Sequence, residues 1–312
     1  MYRVSTITVN AQLLVPMVAP AREAHVMNLV RESLASKPDI ILLPELCWCY
    51  GTDWRRWPEF AEARDGKHVL AFAGLAKSHS CYIGLPILEN RNGKLFNTLL
   101  LLNRRGKIVW HYDKCFLTTA EIELGISPGE QFEPFETDFT RIGAAICFDL
   151  NFTELAELWH RRKVQLMLFS SMFRGGELLK QWAISGEFFV ASAASDEGSQ
   201  IVTPLGRVLA ASGNYAPVIS RELPSDFGVF HIDRNNHAWD AIREKYGAEV
   251  NLEIHSPEGR FVLETRNKNI TIESIVEQFQ LTPLRQYLQA ARESNLASTQ
   301  CLARLLNRAP KD

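Results

Sequence analysis

The chain has 312 residues, 46% of them hydrophobic and 22% charged, and carries a formal net charge of −2. That is ample apolar material for one large domain or two ordinary ones, and the near-neutral balance argues against a nucleic-acid or polyanionic partner. The longest apolar runs, LLLL at 99–102 and VQLMLFSSMF at 164–173, are too short to span a bilayer, and the opening MYRVSTITVN lacks the basic start and apolar core of a secretory leader.

The expectation is therefore a soluble, cytoplasmic protein with no membrane partner. Six cysteines (Cys47, Cys49, Cys81, Cys115, Cys147 and Cys301) form no paired framework and read as reduced thiols. Cys47 and Cys49 stand one residue apart rather than two, without a second pair or a nearby histidine, so no zinc site is expected.

RVSTITV at 3–9 alternates as a first strand, and Pro20–Ser36 carries apolar residues at helical spacing until Lys37-Pro38-Asp39 stops it. IILLPE then reads as a buried strand that delivers Glu45 to its exit, where a glutamate is either a solvated cap or a site residue. Trp48, Tyr50, Trp54 and Trp57 crowd the following loop, either walling a pocket or covering a sheet edge. A helix over 66–79 leads into three strands, CYIGLPILE, LFNTLLLLN and KIVWHYDK, the last of which ends in Lys114. LTTAEIELGISPGE is a loop with a short helical turn holding Glu121 and Glu123.

RIGAAICFDLNF comes next: an apolar strand, a thiol at its end, and a polar turn into a helix over 152–162. A helix N-terminus lowers a thiol pKa and can cradle an oxyanion, so Cys147 suits a nucleophile as well as a core position. VQLMLFSS is a strand, 175–187 a helix, and FFVASA and SQIVTPLGRVLAAS are further strands, the second a hairpin turned at Pro204–Gly206. The pattern weakens over 226–270. Thr271–Leu306 reads as two helices, with Thr282-Pro283 opening the second. The expected organisation is one layered α/β domain over 1–270 and a C-terminal helical extension over 271–312 for packing or dimerisation.

Three strands thus end in a glutamate, a lysine and a cysteine. Strand ends in layered α/β folds meet at one edge, where this set forms a coherent machine. The carboxylate takes the thiol proton, the ammonium holds charge on a tetrahedral intermediate, and the protonated glutamate returns its proton to a leaving amine. Such a set cleaves an acyl-nitrogen bond through a thioester.

On ILLPEL with Glu45, FNTLLLLNRRGKIVWHYDK with Lys114 and RIGAAICFD with Cys147, the chain resembles the nitrilase superfamily of carbon-nitrogen hydrolases, from the first strand to about Arg221. The resemblance implies a four-layer αββα sandwich that pairs into a homodimer through helices 152–162 and 175–187. It also implies a Glu45–Lys114–Cys147 triad, the Phe148 N–H as oxyanion donor, and Glu121 as a fourth site residue, with Glu123 its weaker rival. The run CFDLNFTEL puts Asn151 and Thr153 where the family commonly has arginine and proline, and AISGEF keeps Glu187 without the usual arginine and asparagine. Phe148-Asp149 fits the amidase and carbamoylase branches better than the Cys-Trp-Glu of true nitrilases. The expected substrate is a small linear amide or N-carbamoyl compound, with no cofactor. Arg174 is a candidate partner for a substrate carboxylate, with a surface salt bridge as its rival, and Trp48 and Trp54 are candidates for an apolar wall near Glu45, with core packing as an equal rival. Asn97 and Thr98 match a family motif and are read as structural. The alternatives are a catalytically silent ligand-binding or partner-binding protein, a nitrile hydrolase, an acyl transferase, and a papain-like pairing of Cys147 with His111.

Overall fold

The computed structural model describes residues 1–195, 198–213 and 215–298. The chain divides into two compact units, Met1–Leu223 and Pro224–Asp312. Cys301 and the continuation of the last helix toward Leu306 lie outside the described residues.

The first unit runs β1 (Tyr2–Ile7), α1 (Ala11–Leu14), α2 (Ala19–Leu34), β2 (Ile40–Leu42), α3 (Lys67–His79), β3 (Tyr82–Arg91), β4 (Lys94–Leu102), β5 (Ile108–Asp113), α4 (Thr119–Glu123), β6 (Phe135–Glu136), β7 (Arg141–Ile146), α5 (Thr153–Arg161), β8 (Leu166–Ser171), α6 (Glu177–Gly186), β9 (Phe189–Ala194), β10 (Gln200–Val202), β11 (Val208–Ala211) and β12 (Val218–Leu223). Its strands form two six-stranded sheets, β12-β1-β2-β3-β4-β5 and β11-β10-β9-β8-β7-β6. The sheets face each other through β1, β2 and β9, with α2 and α3 on one outer face and α5 and α6 on the other. This is the expected four-layer αββα sandwich.

The parallel strands are apolar on both faces because each is covered twice, once by a helix and once by the opposing sheet. Ile40, Ile41 and Leu42 of β2 and Leu166, Met167, Leu168 and Phe169 of β8 are all buried. β7 approaches its helix layer so closely that a Cβ on Gly143 would meet the Trp159 ring at 3.1 Å. α5 and α6 lie side by side. β10 and β11 form the expected hairpin around Pro204–Gly206. β12 was not anticipated: it closes the edge of the first sheet against β1, with Tyr2 opposite Leu223 and Ile7 opposite Val218.

The second compact unit begins at Pro224. The stretch with the weak pattern contains β13 (Phe227–His231), α7 (Trp239–Tyr246), β14 (Val250–His255) and β15 (Arg260–Thr265), followed by α8 (Ile272–Phe279) and α9 (Leu284–Ser298). The three strands form their own antiparallel sheet, β13-β15-β14. Phe230, Ile242, Phe261, Leu263 and Ile275 build a separate core, so α8 packs on a local sheet and is no free-standing tail. Asn235 fixes the entry to α9: its amide donates to the His231 and Thr282 carbonyls and accepts from the Thr282 N–H.

Candidate active site

Glu45 lies beyond the end of β2, on a turn held down from the other sheet. The Ser170 hydroxyl of β8 donates to the Leu43 carbonyl at 2.8 Å, and the Met172 N–H donates to Glu45 Oε2 at 3.0 Å. Lys114 follows β5, its N–H bonded to the Asn97 carbonyl of β4 and its own carbonyl accepting from Gly129 N–H. Both side chains are almost fully buried.

Their charged ends meet. Lys114 Nζ lies 2.9 Å from Glu45 Oε1 and 2.9 Å from both oxygens of Glu121. Glu121 is aimed by a capping box at the start of α4: the Thr118 hydroxyl accepts from its N–H, and its Oε2 accepts from Thr118 N–H at 2.9 Å. Glu121 is thus buried against Lys114, whereas Glu123 stands exposed. The Thr-x-x-Glu spacing in LTTAEIE carried that distinction in the sequence.

Asn97, read from the sequence as structural, sits between the two carboxylates. Its Nδ2 donates to Glu45 Oε1 at 2.7 Å and to Glu121 Oε1 at 2.8 Å. The reversed amide would aim its oxygen at two anions, so electrostatics fix the orientation. Lys114 and Asn97 therefore clamp one pair of carboxylates from two sides. Asn97→Leu keeps the volume and removes the bridge; the expected result is a loss of about 10–100-fold in kcat, measured as ammonia release, with the larger part of the effect in kcat and not KM.

Cys147 follows β7 with φ +50°, a left-handed conformation that few residues other than glycine adopt. That turn swings the thiol out of the strand direction at an intrinsic cost of about 1–3 kcal/mol, a geometry also used by strand-to-helix turns that carry nucleophiles. A short 3-10 turn, Cys147–Asn151, leads into α5, and the Phe148 N–H lies in its first turn, where no intrahelical acceptor is in reach.

The electrostatics correct one expectation. Burial pushes the Cys147 thiol up, the neighbouring Glu45 carboxylate adds to the effect, and Lys114 opposes it without prevailing. The resting group is a neutral thiol, not the thiolate that a helix N-terminus alone would favour. Burial also pushes Glu121 up, but the Lys114 charge and hydrogen bonds outweigh it and leave the carboxyl below its usual range. Burial by itself would depress Lys114, yet Glu45, Cys147 and Glu121 together hold it well above an ordinary lysine. The cluster is a fixed ammonium between two carboxylates, beside a thiol that needs a base.

The remaining candidates scatter. Phe148 is half-exposed beside the thiol, its ring edge-on to Phe152, which stacks on Phe116. Arg174 is exposed in the loop after β8, two residues beyond the amide that holds Glu45, and its stem packs over Gly198; among the described residues no carboxylate pairs with it. Trp48 is buried in the core, stacked on His68 at 4.2 Å and edge-on to Phe72, so its ring is taken up by packing on α3. Trp54 is half-buried under the Arg55 guanidinium. His111 lies 3.8 Å from Asp113 on β5. Among the described residues no cluster of three or more His, Cys, Asp or Glu side chains could hold a metal ion, and no helix is long and apolar enough to cross a membrane.

Comparison with known proteins agrees with this geometry. The carbon-nitrogen hydrolase family profile matches residues 11–228. The chain is 31% identical over 244 residues to the omega-amidase NIT2 of Xenopus tropicalis, covering 69% of this chain and 87% of that one. It is 28% identical over 240 residues to the omega-amidase NIT2 of Homo sapiens, covering 68% and 86%. Among solved structures, an amidase from Nesterenkonia sp. superposes with a TM-score of 0.62 at 20% identity, covering 72% of this chain and 91% of that one. Saccharomyces cerevisiae Nit3, a member of branch 10 of the nitrilase superfamily, superposes with a TM-score of 0.60 at 21% identity, covering 71% and 89%. Fold and sequence therefore agree: the chain belongs to the carbon-nitrogen hydrolase family of the nitrilase superfamily.

Proposed function

We propose that the protein hydrolyses the terminal amide of a small linear substrate, with Cys147 as nucleophile, Glu45 as general base and acid, Lys114 as the cation for the oxyanion, and Glu121 as the group that holds Lys114 in place. The observation that carries this reading is the buried Glu45–Lys114–Glu121 cluster, with Asn97 across it, beside a thiol on a left-handed turn.

The chemistry follows from the protonation states. The neutral Cys147 thiol gives its proton to Glu45 as Sγ attacks the amide carbon; a C–S bond forms and the carbonyl π pair moves to oxygen. Lys114 Nζ and the Phe148 N–H stabilise that oxyanion. Collapse breaks the C–N bond, Glu45 delivers its proton to nitrogen, and ammonia leaves a thioester. Water then gives a proton to Glu45 and attacks the thioester carbon; the C–S bond breaks, the proton returns to sulfur, and the carboxylic acid departs.

The relatives named omega-amidases favour an amide at the end of a carbon chain over a nitrile. The proposal includes Arg174 as the partner of a carboxylate at the substrate's other end, since an exposed guanidinium without a partner among the described residues can make that bidentate pair. It also includes a homodimer paired through α5 and α6. A cytoplasmic location suits the free thiols Cys47, Cys49, Cys81, Cys115 and Cys147.

The test is ammonia release from a panel of short amides, ω-amides bearing a carboxylate, N-carbamoyl amino acids and nitriles. Release from carboxylate-bearing ω-amides is expected, and Arg174→Leu should raise KM for these about 10–100-fold while leaving neutral amides unchanged. Preference for N-carbamoyl substrates would shift the reading to a carbamoylase; an equal effect of Arg174→Leu on neutral amides would remove the carboxylate role.

A further inference from the structure

Asp149 is fully buried two residues after Cys147, and the chemistry above does not use it. Its carboxylate accepts three hydrogen bonds from two different strand exits. Oδ1 accepts from the Phe116 N–H at 2.8 Å; Oδ2 accepts from the Tyr112 hydroxyl and the Ile146 N–H, each at 2.9 Å. Tyr112 and Phe116 flank Lys114 by two residues on either side, and Ile146 immediately precedes Cys147. One acceptor-only group therefore spans the segment that carries the ammonium and the turn that carries the thiol.

We propose that Asp149 is a positioning residue whose ionised carboxylate holds the strained Cys147 turn in register with Lys114. This rests on the reading of Cys147 as nucleophile. The need for the charged form follows from the donor count. Each oxygen meets an obligate main-chain N–H donor, so an amide NH2 at either would face a donor, and a proton could be taken only by the Tyr112 hydroxyl at the loss of its own bond to the carboxylate. The main-chain bond to Ile146 N–H also stabilises the residue before the left-handed Cys147, a conformation that a free chain would relax.

The groups facing Asp149 are the Tyr112 hydroxyl and Lys114 ammonium from β5 and its exit, with the Cys115 thiol close by and Glu154 of α5 beyond it. α6 and β8 also pack on the turn; β8 brings no titratable side chain, and Glu177 and Lys180 of α6 pair with each other at the surface. Burial raises the Asp149 carboxyl to about 6, with the two N–H groups, Tyr112 and Lys114 all pulling it back down. Positioning is thus half-lost at about pH 6, complete only well above it, and lost as the pH falls further. Folding has the opposite sign for this group: a carboxyl raised above its ordinary value favours the folded state most when protonated, and that contribution is lost as pH rises through about 6. Loss of reactivity on acidification is therefore not unfolding caused by Asp149.

The experiment follows Cys147 alkylation by iodoacetamide, read by mass spectrometry on the Cys147 peptide, across about pH 4.5–9 in the full chain, with melting measured in parallel. In wild type the rate falls on the acid side near pH 6 without a matching fall in melting temperature. Tyr112→Phe removes one bond that stabilises the ionised carboxylate, so its acid limb should move upward by about half to one pH unit with a near-wild-type rate at neutral pH. Asp149→Asn should lower the neutral rate about tenfold or more. An unmoved limb in Tyr112→Phe overturns the proposal, as does wild-type reactivity in Asp149→Asn. A wild-type Cys147 inert at every pH, together with silence across the amide panel, would refute the active-site reading itself; a reactive thiol with an unmoved limb refutes only the role of Asp149.

Discussion

Cys147→Ala is expected to lower amide turnover by about 10⁴-fold or more, to the background rate, because no other group at the site can form the covalent intermediate. The fold should survive. The thiol's hydrogen bonds to Glu45 and Ser171 are weak ones, and alanine occupies the same left-handed turn under the same strain, so stability should stay within about 1 kcal/mol of wild type. Cys147→Ser is the sharper control. A hydroxyl ionises far less readily than a thiol, and since burial and Glu45 already push the thiol up, Glu45 is too weak a base for the serine. Ammonia release from each variant, with melting by circular dichroism, checks this. Turnover within about a hundredfold of wild type in Cys147→Ala would remove the nucleophile from the mechanism, and with it the thioester.

Glu45 and Cys147 were legible as candidates because each follows a buried strand, and Lys114 because it ends a half-buried strand-like run. In IILLPE, KIVWHYDK and RIGAAICFD the apolar run announces the strand and the single polar residue announces its exit. Glu121 came from the family resemblance alone, although the Thr118 capping box is a local signal for its placement. Asn97 was not legible, because its role depends on register. Only the antiparallel pairing of β4 with β5, which sets the Lys114 N–H against the Asn97 carbonyl, turns an asparagine inside a strand toward the two carboxylates. Asp149 was hidden in the same way: Phe116 and Tyr112 lie more than thirty residues before it, and their donors meet it only once both sheets are built.

Strands that are half-buried or polar leave the faintest patterns. VISREL of β12 pairs with β1 across more than two hundred residues, and no local pattern announces an edge strand of that composition. β14 has one buried residue, Val250, and five half-buried ones, so its alternation is faint. Of the two readings open for Trp48, packing is the one its contacts support: the left-handed turn at Leu46 and the short 3-10 turn after it bring the ring onto His68 and Phe72 of α3.

Lys114→Met should damage both chemistry and folding, and the pH dependence separates the two. Removing the ammonium takes away the oxyanion's cation, for an expected loss of about 10³-fold in kcat. It also leaves Glu45 and Glu121 as buried carboxylates bridged only by Asn97, and breaking a buried ion pair from one side costs about 3–5 kcal/mol. In wild type, Lys114 is raised above its ordinary value, so its contribution is complete below that value and lost only in strong alkali. Glu121 is lowered, so its contribution is present above the ordinary carboxylate value and lost only in acid. The native cluster therefore gives a stability that is flat across the neutral range. In Lys114→Met the sign for the carboxylates reverses, because two anions without their cation bind protons more tightly folded than unfolded. The variant should then recover stability as pH falls from about 8 to about 5, and its urea midpoint should approach the wild-type value from below. A deficit that stays constant over that range would mean the carboxylates do not depend on Lys114 for their charge, and retention of more than about a tenth of wild-type kcat would take the oxyanion away from Lys114 and leave it to the Phe148 N–H.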